Sequence, residues 1–378
     1  MPERLVSADS HVKMTHEQVK SHLPEAYHAA YDEAAGGYEA RMSRGAGAVN
    51  RAGALGNDAA AKATPGGNTS SQDMGQSTAA SNNVFTRSSY WDPAARLKDM
   101  DTDGVDVEVL YSEVSAFRYL SDVKEGLTEV VRAFNDALSD FASEDPARLI
   151  VSYQIPIHDI EVAVAEVERV ASFGGKSLQL PVFPAELGLP DYYDERYRPL
   201  FAAIEATGLP ICCHIGLKTT LDDVARRDPT PNKGVMVPLT PLMTAEAFGM
   251  WIMGGVFEAF PDLKVVFVEP GLGWVPWWLE TVDDMATRQG YKFPAITELP
   301  SAYFHRNVYL TFIDEHYGLD RARDLLGTKN IMWSSDFPHP VTSWPHSRKI
   351  VDELFADLPA EDRQLVVCGN ATRVWNLG

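Results

Sequence analysis

Three apolar runs, far apart in the chain, each stop at a residue type that binds metal ions. Leu5-Val-Ser-Ala-Asp-Ser-His11 ends in an Asp-x-His pair, Leu209-Pro-Ile-Cys-Cys-His214 in a histidine, and Ile331-Met-Trp-Ser-Ser-Asp336 in an aspartate followed by Phe337-Pro-His339. Asp9 and His11 are two apart, so on a strand both side chains project to the same side. His214 follows so apolar a stretch that burial requires it to be ligated or hydrogen-bonded. A buried carboxylate at Asp336 costs several kcal/mol unless it meets a cation or a donor. Taken one at a time these are weak signals, since a lone histidine commonly just closes the end of a barrel. Their conjunction points to a metal site built from Asp9, His11, His214 and Asp336.

Such a site needs strands that run the same way and end together. Short β-branched runs alternate with longer amphipathic stretches along the chain, the mark of repeated βα units and a parallel sheet. Eight runs qualify: Leu5 to Ala8, Val105 to Leu110, Leu149 to Ile155, Lys176 to Leu180, Pro210 to Cys213, Lys264 to Val268, Val308 to Ile313 and Ile331 to Ser335. Between them, Asp159 to Phe173 places Ile160, Val164, Val167 and Ala171 on one helical face, and Asp194 to Thr207 closes on Gly208. Eight strands with intervening helices predict a (β/α)₈ TIM-type barrel, whose chemistry sits at the carboxyl ends of its strands. The expected organisation is a single domain over 1–378.

One connection is abnormally long. Residues 9–104 separate the first two strand-like runs, and 35–83 within them are rich in Gly, Ala, Ser and Asn. A stretch so poor in large apolar residues cannot offset its own ordering entropy. The insertion is therefore expected to be a lid or an oligomer contact (homo- or hetero-oligomeric), or else a flexible loop.

Composition narrows the partners. The chain has 378 residues, 45% of them hydrophobic, enough for a large core. Its net charge of −20, from 53 acidic and 33 basic residues, argues against nucleic acid or an anionic membrane as partner. A basic start leading into an apolar run is missing, and so is an apolar stretch long enough to span a bilayer, which makes the cytoplasm the expected location. Cys212, Cys213 and Cys368 form no metal clip or disulfide framework and are expected to be reduced packing residues.

The sequence resembles the amidohydrolase-related family, the amidohydrolase-superfamily branch that includes metal-dependent decarboxylases of aromatic and semialdehyde acids. The resemblance is carried by Ser7-Ala-Asp-Ser-His-Val12, Phe260-Pro-Asp-Leu-Lys-Val-Val-Phe-Val-Glu-Pro-Gly-Leu-Gly-Trp274, Ser335-Asp-Phe-Pro-His339 with Ser343-Trp-Pro345, and Gly369-Asn-Ala-Thr-Arg373. It implies a divalent metal held by Asp9, His11, His214 and Asp336, in a barrel whose loops choose the substrate. The chain departs from the family pattern twice. Asp9 stands where relatives commonly carry the first histidine of His-x-His, and Glu269 stands where many carry a histidine after the sixth strand. Glu269 is accordingly read as a general base or as a further ligand, against the plainer reading of a carboxylate capping the turn at Pro270-Gly271.

Two histidines and three carboxylates make an oxygen-rich set, which shifts the expected metal toward iron or manganese over zinc and allows two ions as well as one. His316, just past the seventh strand, is a further candidate ligand, as are His305 and His339, each weighed against a surface or supporting role. Trp274, Trp277, Trp278, Phe337 and Trp344 are candidates for an apolar wall, weighed against a core role. The expected activity is hydrolysis of a small carboxylated substrate, with Glu269 or Asp336 shuttling the proton, or its non-oxidative decarboxylation. The alternatives are a dinuclear iron or manganese oxygenase on the same scaffold and a barrel that has lost catalysis.

Overall fold

The computed structural model describes residues 3–40, 87–112, 119–216, 230, 239–339 and 341–378. Its centre is eight parallel strands paired in sequence order: β1 (Val6–Val12), β2 (Val107–Ser112), β3 (Leu149–Gln154), β4 (Ser177–Gln179), β5 (Ile211–His214), β6 (Val265–Val268), β7 (Val308–Phe312) and β8 (Ile331–Trp333). Every strand overlaps a run expected from the sequence, and every strand residue is buried. Near-continuous apolar runs are what a parallel sheet covered on both faces demands. The eight-stranded barrel is the fold.

The barrel closes beyond the end of β8. A single parallel bridge pairs Ser10 with Phe337, supported by Asp336 N donating to the Asp9 carbonyl at 2.9 Å and His11 N donating to the Phe337 carbonyl at 2.7 Å. The residues that close the seam are therefore those that carry three of the candidate ligands.

Helices cover the outside, and their ends follow local chemistry. Asp159 caps Ile160–Ser172 by accepting from Glu161 N and Val162 N. The stripe it buries is Ala163, Glu166, Val167 and Val170, with Ile160 and Val164 partly buried, about one position round from the face expected. Gly208 ends Arg198–Thr207 at φ +69°, the left-handed conformation that glycine adopts without strain. None of the described helices is long and apolar enough to cross a membrane.

The connection between β1 and β2 contains the helix His16–His22, a helical run over 28–40 and the helix Pro93–Asp103. Tyr31, Ala34 and Ala35 are buried, so residues 35–40 belong to a packed helix and not to a Gly-rich loop. The remainder of the expected insertion, 41–83, lies outside the described residues.

The amino ends of the strands are fastened by asparagines. Asn307 donates to the carbonyls of Pro261 and Leu263 at 2.9 and 2.8 Å, and Asn330 to those of His305 and Val308 at 3.1 and 2.6 Å. Asn370, from the Gly-Asn-Ala-Thr-Arg motif, donates to Thr328 and Ile331 at 2.6 and 2.8 Å and so anchors the start of β8. That is a structural reason for the motif.

Candidate metal centre

At the carboxyl ends of the strands Asp9, His11, His214, Glu269 and Asp336 converge. The alternation of β1 is broken by a register shift between Ser7 and Ser10, yet Asp9 and His11 still reach the same place: His11 Nε2 lies 3.6 Å from Asp9 Oδ1. It also lies 3.1 Å from Asp336 Oδ1. His214 Nε2, from the end of β5, is 3.8 Å from Asp9 Oδ1 and 3.6 Å from Glu269 Oε2. Among the described residues, ligand atoms within 4.8 Å of one another form three overlapping groups: Asp9, His11 and His214; His11, Asp336 and His339; and Asp9, Glu269 and Asp336.

The backbone is strained where the acids enter. Three described non-glycine residues have positive φ, and two of them are Glu269 at +63° and Asp336 at +53°. Each such residue costs on the order of 1–3 kcal/mol and persists only where its surroundings over-determine it. At Glu269 the backbone N–H donates to Thr311 Oγ1 at 2.7 Å; at Asp336 the two seam hydrogen bonds hold the chain. Glu269 is not simply a cap of the turn beside it, because its carboxylate reaches into the cluster.

The donors fit a cation. His214 Nδ1 lies 3.0 Å from the Ile215 carbonyl, an arrangement in which Nδ1 carries the proton and Nε2 presents a lone pair. That buried Nε2 has no hydrogen-bond partner among the described residues and faces two carboxylates. Burial pushes the His214 imidazole down to about 3, with the His11 ring adding to the effect, so it stays neutral and in the form that binds metal. Metal–ligand bonds of about 2.0–2.2 Å place neighbouring donors roughly 2.8–3.6 Å apart, close to the separations seen here. Burial alone would raise the Asp336 carboxyl, but the His11 and His339 imidazoles at its oxygens hold it well below the usual range.

His339 joins the cluster more closely than its sequence context suggested. Its ring stacks on His11 at 3.7 Å between centroids, and its Nδ1 is 3.0 Å from Asp336 Oδ1. The structure does not bring His316 there. Its side chain is 69% exposed and sits 3.5 Å from Asp314, because the preceding Glu315 turns inward and accepts from Leu272 N and Gly273 N, both at 2.7 Å. His305 packs edge-on against Phe304 on the helix Pro300–Asn307, at the amino end of β7. Of the aromatic candidates, Trp274 and Trp278 pack on Phe248 and Trp277 is exposed, whereas Phe337 and Trp344 lie together beside the seam at 5.3 Å. Sequence reasoning passed over Glu108, although a carboxylate inside the buried run Val107-Glu-Val-Leu was a visible signal.

A profile of the amidohydrolase family matches residues 83–377. The chain belongs to the amidohydrolase family. Its relatives include 2-amino-3-carboxymuconate-6-semialdehyde decarboxylase of Dictyostelium discoideum, 23% identical over 67% of this chain and 68% of that protein. Among solved structures, 5-carboxyvanillate decarboxylase from Sphingomonas paucimobilis superposes with a TM-score of 0.70 at 22% identity, covering 99% of both chains. Dihydroxybenzoic acid decarboxylase from Polaromonas, solved with manganese and 2-nitroresorcinol, superposes with a TM-score of 0.67 at 18% identity, covering 99% of this chain and 97% of that one. This amidohydrolase is thus an enzyme of the metal-dependent hydrolase and lyase type, with a His/Asp cluster suited to a divalent ion.

Proposed function

We propose that this amidohydrolase is a non-oxidative decarboxylase of a small carboxylated aromatic acid. The observation that carries the reading is the buried His214 Nε2, which has no hydrogen-bond partner among the described residues and lies 3.8 Å from Asp9 Oδ1 and 3.6 Å from Glu269 Oε2. Electron-rich atoms gathered in this way suit a cation. The names of the relatives favour decarboxylation over the hydrolysis that the residues suggested first.

Asp9, His11, His214 and Asp336 would hold the ion. A divalent ion there supplies positive charge for a substrate carboxylate and a neighbouring oxygen. Asp336, buried between two imidazoles, keeps its negative charge and orients His11 and His339. Glu269 is the least enclosed acid of the cluster, with 24% of its side chain exposed, and is positioned to hand a proton to substrate. As the carbon–carbon bond breaks, its electron pair stays on the ring carbon, carbon dioxide leaves, and the proton from Glu269 adds to that carbon.

The test is His214→Ala, which removes a ligand and no packing layer. Metal content and decarboxylation should both be lost while the circular dichroism spectrum is kept; a variant with wild-type metal stoichiometry sinks the assignment. A second reading, a two-ion oxygenase, draws on Asp336 belonging to two of the three groups among the described residues. Turnover without dioxygen separates the two, since a decarboxylase continues and an oxygenase stops.

A further inference from the structure

Behind the cluster lies a buried charge pair that the chemistry above does not use. Arg96, on the helix Pro93–Asp103, is fully buried and forms an ion pair with Glu108 of β2 at 2.5 Å. The rest of its guanidinium reaches across the barrel seam, one nitrogen donating to the His11 carbonyl at 2.7 Å and another to the Phe337 carbonyl at 3.1 Å. Its planar carbon also lies 4.6 Å from the centre of the Phe337 ring. Glu108 in turn accepts from Ser10 Oγ at 3.3 Å. Ser10 Oγ contacts Ser335 Oγ at 3.2 Å, and Ser335 N donates to Ser7 Oγ at 2.8 Å.

The pattern is specific to the metal centre. His11 itself, Ser10 between Asp9 and His11, and both neighbours of Asp336 are tied to this one pair, directly or through a single serine. β8 ends at Trp333, so the ladder alone gives the seam one bridge. Asp336 sits there at φ +53°, a left-handed conformation uncommon for any residue but glycine, although aspartate tolerates it better than most. Buried ion pairs contribute little net stability compared with well-packed apolar residues, so stability alone is a poor reason for this one. A guanidinium spreads its donors over three nitrogens in a plane, and here each nitrogen serves a different acceptor, the Glu108 carboxylate and the two carbonyls.

We infer that Arg96 and Glu108 are positioning residues that lock the seam between β1 and β8 and so set the spacing of Asp9, His11 and Asp336 for the metal. The inference rests on the metal reading of the cluster. Partners behind metal ligands typically change metal affinity by about 10–100-fold.

Arg96→Lys is the first test, because it keeps a positive charge against Glu108 but cannot reach both carbonyls. The metal-stripped full-length protein is titrated with Mn²⁺ by calorimetry, well below its melting temperature, next to wild type and next to Asn370→Ala as a destabilised control. The expected result is an Mn²⁺ Kd raised about tenfold or more, with Asn370→Ala binding as wild type does. A Kd within twofold of wild type overturns the inference. Should Arg96→Lys fail to fold, Arg96→Met with Glu108→Leu removes both charges together and is judged by the same criterion; failure of both proteins to fold assigns the pair to folding alone and also overturns it. Wild-type protein that binds none of Mn²⁺, Fe²⁺ and Zn²⁺ strikes down the metal reading itself, whereas unchanged affinity in the variant strikes only the role of the pair.

Discussion

The two rims of this barrel bury polar groups on opposite terms. At the amino ends of the strands, Asn307, Asn330 and Asn370 each spread one amide over two backbone carbonyls at 2.6–3.1 Å. Those groups are satisfied by the chain itself. At the carboxyl ends, carboxylates and imidazoles approach one another at 3.0–3.8 Å, and His214 aims a lone pair at two acids. The three amides of the amino rim are spent on the backbone, whereas the acids and imidazoles of the carboxyl rim converge within reach of a single ion. The amino rim is built for stability and the carboxyl rim for binding, the division expected of such barrels.

Asp336→Asn should break that contrast with the largest effect. Removing the charge shared by His11 and His339 is expected to lower kcat/KM by about a thousandfold or more, since charge stabilisation by a bound ion amounts to several kcal/mol. Elemental analysis should find the metal depleted, while circular dichroism shows the fold retained. Loss of folding in place of loss of metal would erase the distinction between the rims. Glu269→Gln sharpens the picture within the carboxyl rim. As a proton carrier, Glu269 should cost about 10²–10⁴-fold in kcat with metal retained; depletion of metal would make it a ligand. Asn370→Ala probes the other rim, where two buried carbonyls lose their donor. Chemical denaturation should show a loss of about 2 kcal/mol, while Mn²⁺ affinity stays unchanged.

The barrel was legible because a parallel strand covered on both faces must be apolar throughout, and runs such as Val265–Val268 and Ile211–His214 admit no other placement once helical stretches separate them. The cluster was legible for the same reason: Asp9, His214 and Asp336 interrupt or end runs that otherwise exclude charge. What the sequence hid was orientation. His316 follows a strand just as His214 ends one, but Glu315 takes the inward position and leaves His316 in solvent. His339 lies beyond a proline, where strand periodicity gives no guide, and only the turn after Asp336 stacks it on His11. Arg96 was hidden most deeply, because an arginine on an amphipathic helix is ordinarily exposed and nothing local reveals that it faces Glu108.

The smallest expected effect is in acid, and it bears on His214 alone. Its imidazole is held down to about 3 in the folded protein by burial and by the His11 ring, against about 6.5 in the unfolded chain. Between those values the unfolded state binds a proton that the folded state refuses, so folding stability falls as pH drops through 6.5 and continues to fall toward 3. The contribution is fully present above about 6.5. For the metal-free protein, moving from pH 7 to pH 5.5 should cost about 1 kcal/mol through this residue. Denaturation of wild type and His214→Asn at the two pH values isolates the term, since the variant lacks the titrating ring and should lose that much less stability. Equal pH slopes would mean that the His214 ring takes up a proton in the fold as readily as in the unfolded chain, and is not held in the neutral form by burial. The amino rim gives the control: Asn370→Ala should keep the wild-type slope, because an amide does not titrate.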